Sequence, residues 1–91
     1  MALTKETIVD KIEVLEMGQV QVRTATRVME DGAVLSSSFH RHVVVPSTKI
    51  DDTWADTDIS GEDARVQAVA NATWTSEVKT AYQEMIDAQA L

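Results

Sequence analysis

The chain has no cysteine, one proline (Pro46), three glycines and four aromatic residues (Phe39, Trp54, Trp74, Tyr82) among 91. Without cysteine there is no disulfide framework, no thiolate metal site and no cysteine nucleophile, so folding depends on no particular redox compartment. Few aromatics in a chain of this length leave a thin core for a single domain, which raises the expectation of burial against a partner, copies of itself included. No stretch of eighteen apolar residues occurs, and the start MALTKETIVDKIEV carries a charge every few residues, unlike a signal-peptide core. The expectation is a chain made in the cytoplasm, neither exported nor membrane-spanning.

Basic residues are also scarce. Eight Lys and Arg oppose fifteen Asp and Glu, a net charge of −7. The excess is unevenly placed: residues 1–50 hold six of each sign, whereas residues 51–91 hold nine acids and two bases. Nucleic-acid binding needs a basic stripe that releases counterions, and no such stripe is present, although Arg23, Arg27 and Arg41 could form a local patch.

What is present in the first half is strand pattern. The run KIEVLEMGQVQVRTATRVMEDGAVLSSSFHRHVVVP is rich in Val, Ile and Thr, alternates with period two, and is broken at Met17-Gly18 and Glu30-Asp31-Gly32. This predicts three antiparallel strands, about 7–16, 19–29 and 33–45, with Asp31-Gly32 as a hairpin corner. In the middle strand Val20, Val22, Thr24, Thr26 and Val28 share a dry side, and Gln19, Gln21, Arg23 and Arg27 a wet one. Ile8, Ile12 and Val14 make the matching dry set of the first strand, with Asp10 breaking it and Val9 and Leu15 pointing away. The third strand fits two registers. In one, Phe39, Arg41, Val43 and Val45 face inward and His40 and His42 lie on the wet face; in the other, both histidines lie inside with Val44.

Residues 46–59, PSTKIDDTWADTDI after Val45, show neither period and read as a long acidic loop, anchored by Trp54 and Ile50. Ser60 reads as a helix N-cap with Glu62 and Asp63 in the first turn. Val66, Val69, Ala70 and Thr73 form an apolar stripe on a helix of about 61–73. Thr75 or Ser76 caps a second helix, about 76–89, striped by Val78, Ala81, Tyr82, Met85 and Ile86. The predicted architecture is α+β over one domain, 1–91: a three-stranded meander, an acidic loop and a two-helix hairpin.

Chemistry-bearing patterns are few. His40 and His42, two apart on a strand, project to one face and supply two metal ligands at most. In a trimer with this strand on the axis, three such pairs would surround one iron with six imidazoles, and the alternatives are structural histidines or a pH-sensing interface. DTDISGEDARVQ, residues 56–67, places Asp56, Asp58, Ser60 and Gly61 at calcium-loop positions but has Gln67 where a bidentate Glu belongs. Ser36, Ser37 and Ser38 stand near the histidines in sequence, yet no strained nucleophile turn or third group accompanies them, and no Gly-rich phosphate loop exists. The expectation is therefore no enzyme and no cofactor. Trp74, at the helix junction, is expected in the core. Trp54 with Asp51, Asp52 and Asp56, and the wet-face Arg23, Arg27 and Arg41, are the expected contact residues.

The segments IEVLEMGQVQVRTATRVMEDG, SFHRHVVVP and SGEDARVQAVANATWTSEVKTAYQ, taken in order, resemble a group of small tailed-bacteriophage proteins encoded near tail or tail-fibre genes. That group shares an I-E-V-L-E-x-G-x-I-Q-V-R-T-A-T opening, an F-H-R-H-V-V-x-P strand and an S-G-E-D-x-R-V-Q helix start. The resemblance spans about 12–84, carries no activity that transfers residue by residue, and departs at the longer segment between Pro46 and Ser60. It implies a virion structural protein, a small adaptor or decoration subunit of the tail, baseplate or fibre-attachment region. Its partners would be phage tail, baseplate or fibre proteins and copies of itself, with no nucleic acid and no membrane. The alternatives are a tail-fibre assembly chaperone absent from the finished particle and a trimeric fibre or spike held by a His-x-His metal.

Overall fold

Three strands run in chain order β1 (Leu3–Val14), β2 (Val20–Glu30) and β3 (Ala33–Val44), and pair antiparallel as β1-β2-β3 in the computed structural model, which describes residues 2–89. A second hairpin, β4 (Ser47–Ile50) with β5 (Thr53–Asp56), follows, then helices α1 (Ala64–Thr73) and α2 (Ser76–Gln89). The fold is α+β. Met1, Ala90 and Leu91 of the expected domain lie outside the described residues. Among the described residues no helix is long and apolar enough to cross a membrane.

The turns follow from local chemistry. Asp31 and Gly32 both have positive φ (50° and 82°) between the paired Glu30 and Ala33, a two-residue corner whose twist suits the flanking strands. The β1–β2 corner is a turn from Leu15 to Gly18, closed by the Gly18 N–H on the Leu15 carbonyl at 3.0 Å, with Gly18 at φ 87°. Thr75 caps α2, its hydroxyl accepting from the Val78 N–H at 3.2 Å.

Three expectations are corrected. First, residues 46–59 are not an irregular loop. Asp51 and Asp52, at φ 49° and 65°, form a two-residue corner without glycine, which aspartate tolerates better than most residues, and this joins β4 to β5. Second, α1 starts later than 61, because Asp63 rather than Ser60 is the N-cap, accepting from the Arg65 N–H at 2.8 Å. Third, a β-bulge between Val9 and Lys11 leaves Asp10 without a Cα partner and reverses the alternation behind it. Val9, Ile12 and Val14 therefore share the Val20–Val22 side, and Ile8 stands on the opposite face. In β3 the second register holds: His42 pairs with Val22 and His40 with Thr24 on the helix side, while Phe39, Arg41 and Val43 occupy the outer face.

The core is small and sits at one end of the sheet. Val20, Val22, Val44, Val66, Ala70 and Trp74 are buried together, with Val9, Ile12, Ile59, Val69 and Val78 packed at their margin. Each fully buried valine contributes about 1.5–3 kcal/mol. Trp74, in the core as expected, donates its indole N–H to the Gly18 carbonyl at 2.7 Å, tying the helix junction to the strand corner. The remainder of β1–β3 projects beyond the helices. The molecule measures 58 × 25 × 23 Å with a radius of gyration of 17.0 Å, against roughly 12 Å for a compact chain of this length.

Gly18 is the tightest point of this packing. A Cβ there would lie 2.5 Å from Val78 Cγ1 and 3.0 Å from Pro46 Cγ, whereas one at Gly32 would meet nothing within 4 Å. Gly18→Ala is expected to cost about 2–4 kcal/mol, combining left-handed backbone strain with overpacking, and Gly32→Ala about 1–2 kcal/mol from the backbone alone. Urea unfolding of the two variants measures the difference; equal losses would refute the packing contribution.

Candidate functional site

The outer face of the β1–β3 sheet, away from the helices, carries most of the exposed chemistry. Its cross-strand rows are set by register: Ile8–Ala25–Phe39, Glu6–Arg27–Ser37 and Lys11–Arg23–Arg41. The expected wet-face arginines are thus brought together. Arg23 donates through Nε and Nη2 to the two carboxylate oxygens of Asp10 at 2.9 and 2.8 Å, a fork-to-fork pair that the bulge makes possible by adding a residue opposite Arg23. Its guanidinium carbon also lies 4.5 Å from the centre of the Phe39 ring. Arg27 pairs with Glu6 at 3.5 Å, whereas Arg41 has no ion pair among the described residues.

Apolar side chains are exposed on the same arm. Leu35 is 56 %, Phe39 50 % and Val43 53 % exposed, and Val34 and Leu3 are similarly bare. All of these but Leu3 lie on β3, an edge strand whose outward N–H and C=O groups have no neighbouring strand among the described residues. A groove of about 170 Å³ runs between Lys11, Glu13, Gln21, Arg23, Arg41 and Val43. That is smaller than the roughly 300–1,000 Å³ usual for small-molecule pockets. The surface suits an extended macromolecular contact better than an enclosed substrate.

The other sequence candidates go to different places. His42 donates through Nε2 to Glu62 Oε1 at 2.7 Å, binding the segment before α1 to the sheet, and the His40 ring stacks 6.3 Å away. No group of three or more His, Asp or Glu side chains among the described residues is arranged to hold a metal ion. Asp56 pairs with Lys79 at 3.0 Å, and Asp58 accepts from the Ser60 N–H at 2.9 Å, so the calcium-loop spacing serves a hairpin–helix bridge and a turn. Trp54 is a half-buried strut. Its indole N–H donates to Asp87 at 3.3 Å, its ring meets the Tyr82 ring edge-on at 6.2 Å, and Lys49 bonds the same Asp87 at 2.8 Å. Asp51 and Asp52 occupy the exposed corner of that hairpin.

Sequence reasoning missed Asp10, Glu62 and Asp87 as partners. For Asp10 a signal existed: a carboxylate breaking an apolar alternation is what a bulge with a cross-strand arginine leaves in a sequence. Glu62 and Asp87 reach their partners across 20 and 38 residues of chain, and no local pattern marks them.

No family model matches the chain, and no curated protein or solved structure matches it either.

The Arg23 guanidinium holds the Asp10 carboxyl below the usual carboxylate range, chiefly by hydrogen bonding and further by its charge. A carboxyl held low in the folded chain stabilises it above the unfolded value of about 4, and that contribution is lost as the pH falls through the lowered folded value. Asp10→Asn should therefore melt below the parent at pH 7, with the gap closing on acidification below about pH 4. Melting curves from pH 2 to 8 test this; a gap that does not change with pH would show that the carboxylate charge is not what Arg23 uses.

Proposed function

We propose that the chain is a structural assembly subunit of a tailed-bacteriophage particle, an adaptor or decoration protein of the tail, baseplate or fibre-attachment region. It acts by protein–protein contact, without catalysis, cofactor, nucleic acid or membrane, and is incorporated into the virion after synthesis in the host cytoplasm. The observation that carries the reading is the projecting arm: a three-stranded sheet extending beyond its own helical layer, with Leu35, Phe39 and Val43 exposed on an edge strand. An exposed edge strand that keeps apolar groups and free backbone N–H and C=O groups is a template for pairing with another chain. The resemblance in the strand and helix-start motifs supports the phage setting. The groove beside Arg41, at about 170 Å³, is small for a typical small substrate, which suits a binding role. In a metal-centred trimer only Nδ1 of His42 would be open to the metal, because its Nε2 is engaged by Glu62 of its own chain.

Mass spectrometry of purified particles tests the proposal. Several copies per virion are expected, and absence from the particle would overturn the structural reading in favour of an assembly chaperone. Phe39→Asp combined with Leu35→Asp, both exposed and so tolerated by the fold, should reduce incorporation by an order of magnitude or more, because burying unpaired carboxylates at an interface is strongly unfavourable.

A further inference from the structure

Resting on the reading that this chain works by assembly, the geometry points to β3 pairing with β3 of a second copy, antiparallel about a two-fold axis through Phe39. The result is one six-stranded sheet in the order β1-β2-β3-β3-β2-β1, an isologous interface in which each contact occurs twice.

The occupant is identified by self-complementarity in the strand. A two-fold between neighbouring antiparallel strands runs perpendicular to the sheet, so the register must centre on a residue that faces its own copy. Centred on Phe39, the pairs are Phe39 with Phe39, Ser38 with His40, Ser37 with Arg41, and Ser36 with His42. The three small hydroxyl residues on one side of the ring face the three large basic residues on the other. Phe39 gains an aromatic partner. Leu35 is the extra residue of a β-bulge in β3, where Ser36 pairs with Val28 and Val34 with Met29, so the regular register runs from Ser36 to Val44. Centring on Arg41 opposes two guanidinium groups, centring on His40 opposes two imidazoles and sets Arg41 against Phe39, and centring on Ser38 sets Arg41 against Leu35 and leaves Val43 facing Ala33. Only the Phe39 register sets ring against ring and base against hydroxyl along the regular stretch from Ser36 to His42.

Charge points the same way. Each chain carries −7, so two copies repel over most of their surface, yet Ala33–Val44 contains no Asp or Glu. Along this strand two copies meet with no carboxylate opposing another. Residues 33–41 and Val43 are exposed, and β3 is an edge of the three-stranded sheet. The antiparallel arrangement also lays the projecting tip of each arm beside the helix-covered end of the other, since Ser36 nearer the tip faces His42 nearer the base.

Cysteine scanning of the full chain reads the register directly, because the native sequence has no cysteine to interfere. Opposed residues on paired strands lie within disulfide reach, roughly 4.5–5.5 Å between Cα atoms. Under mild oxidation Phe39→Cys should cross-link to a covalent dimer. Ser37→Cys and Arg41→Cys should each remain uncross-linked alone and cross-link when combined in one chain. Sedimentation equilibrium should show a wild-type dimer, and Ser37→Lys, which sets two like-charged pairs with Arg41 across the axis, should weaken it about tenfold while circular dichroism shows the fold retained. A wild-type monomer at about 100 μM, or Ser38→Cys cross-linking in preference to Phe39→Cys, would overturn the inference. A monomer that is still found in particles refutes this dimer and leaves the assembly reading standing; a cross-linked dimer absent from particles does the reverse.

Discussion

The indole N–H of Trp74, held on the carbonyl of Gly18, is the contact on which the rest of the molecule depends. It joins the corner between the first two strands to the junction between the two helices, and so fixes where along the sheet the helical layer sits. Helices of 10 and 14 residues are about 15 and 21 Å long, whereas strands of 11 and 12 residues extend to roughly 40 Å. Anchored at one end, the helices cannot cover the other. The exposed arm is a consequence of that mismatch in length combined with an anchor placed at the strand corner, and not of weak strand-forming sequence.

The hairpin of β4 and β5 depends on the helices in turn. It is too short to stand alone, since an isolated two-stranded ribbon is marginal in water. Its stability comes from contacts to α2: Trp54 against Tyr82, with Asp87 accepting from both the Trp54 indole and Lys49, and Asp56 bridging to Lys79. Ser47, almost fully buried, accepts from Gln83 at 3.0 Å. The acidic second half of the chain is thus partly neutralised in place, with Asp58 spent on a turn and Asp56 and Asp87 on two lysines.

How much of this could be read beforehand differs by element. The three strands, the Asp31-Gly32 corner and the two helices were legible because each is encoded within a dozen residues by period, turn chemistry or capping. The burial of Trp74 was legible too, since a tryptophan between two apolar helical stripes has nowhere wetter to go. The β4–β5 hairpin was not, because its corner is Asp51-Asp52, a pair with no glycine, and four-residue strands are too short to show a period. The faces of β1 escape a period-two reading for a related reason. A bulge inserts one residue, and period two has no term for an insertion, so it puts Ile8 and Val9 on the wrong sides. In β3, the sequence admits two registers, since Phe39 and Val43 on one face balance Val44 on the other; packing against α1 chose between them.

That choice decides which side chains of β3 stay exposed. Had Phe39 and Val43 faced the helices, β3 would have presented histidines and serines outward, a wet and unremarkable edge. Burying Val44 instead commits the largest apolar groups of the strand to the outer face. There Arg23 lies over the Phe39 ring and is itself held by Asp10, so one aromatic face is shielded by a fixed charge while the strand's free backbone edge stays open. The Asp10–Arg23–Phe39 stack therefore supports the centre of the outer face, while Leu35 and Val43 on either side stay exposed beside the free backbone edge.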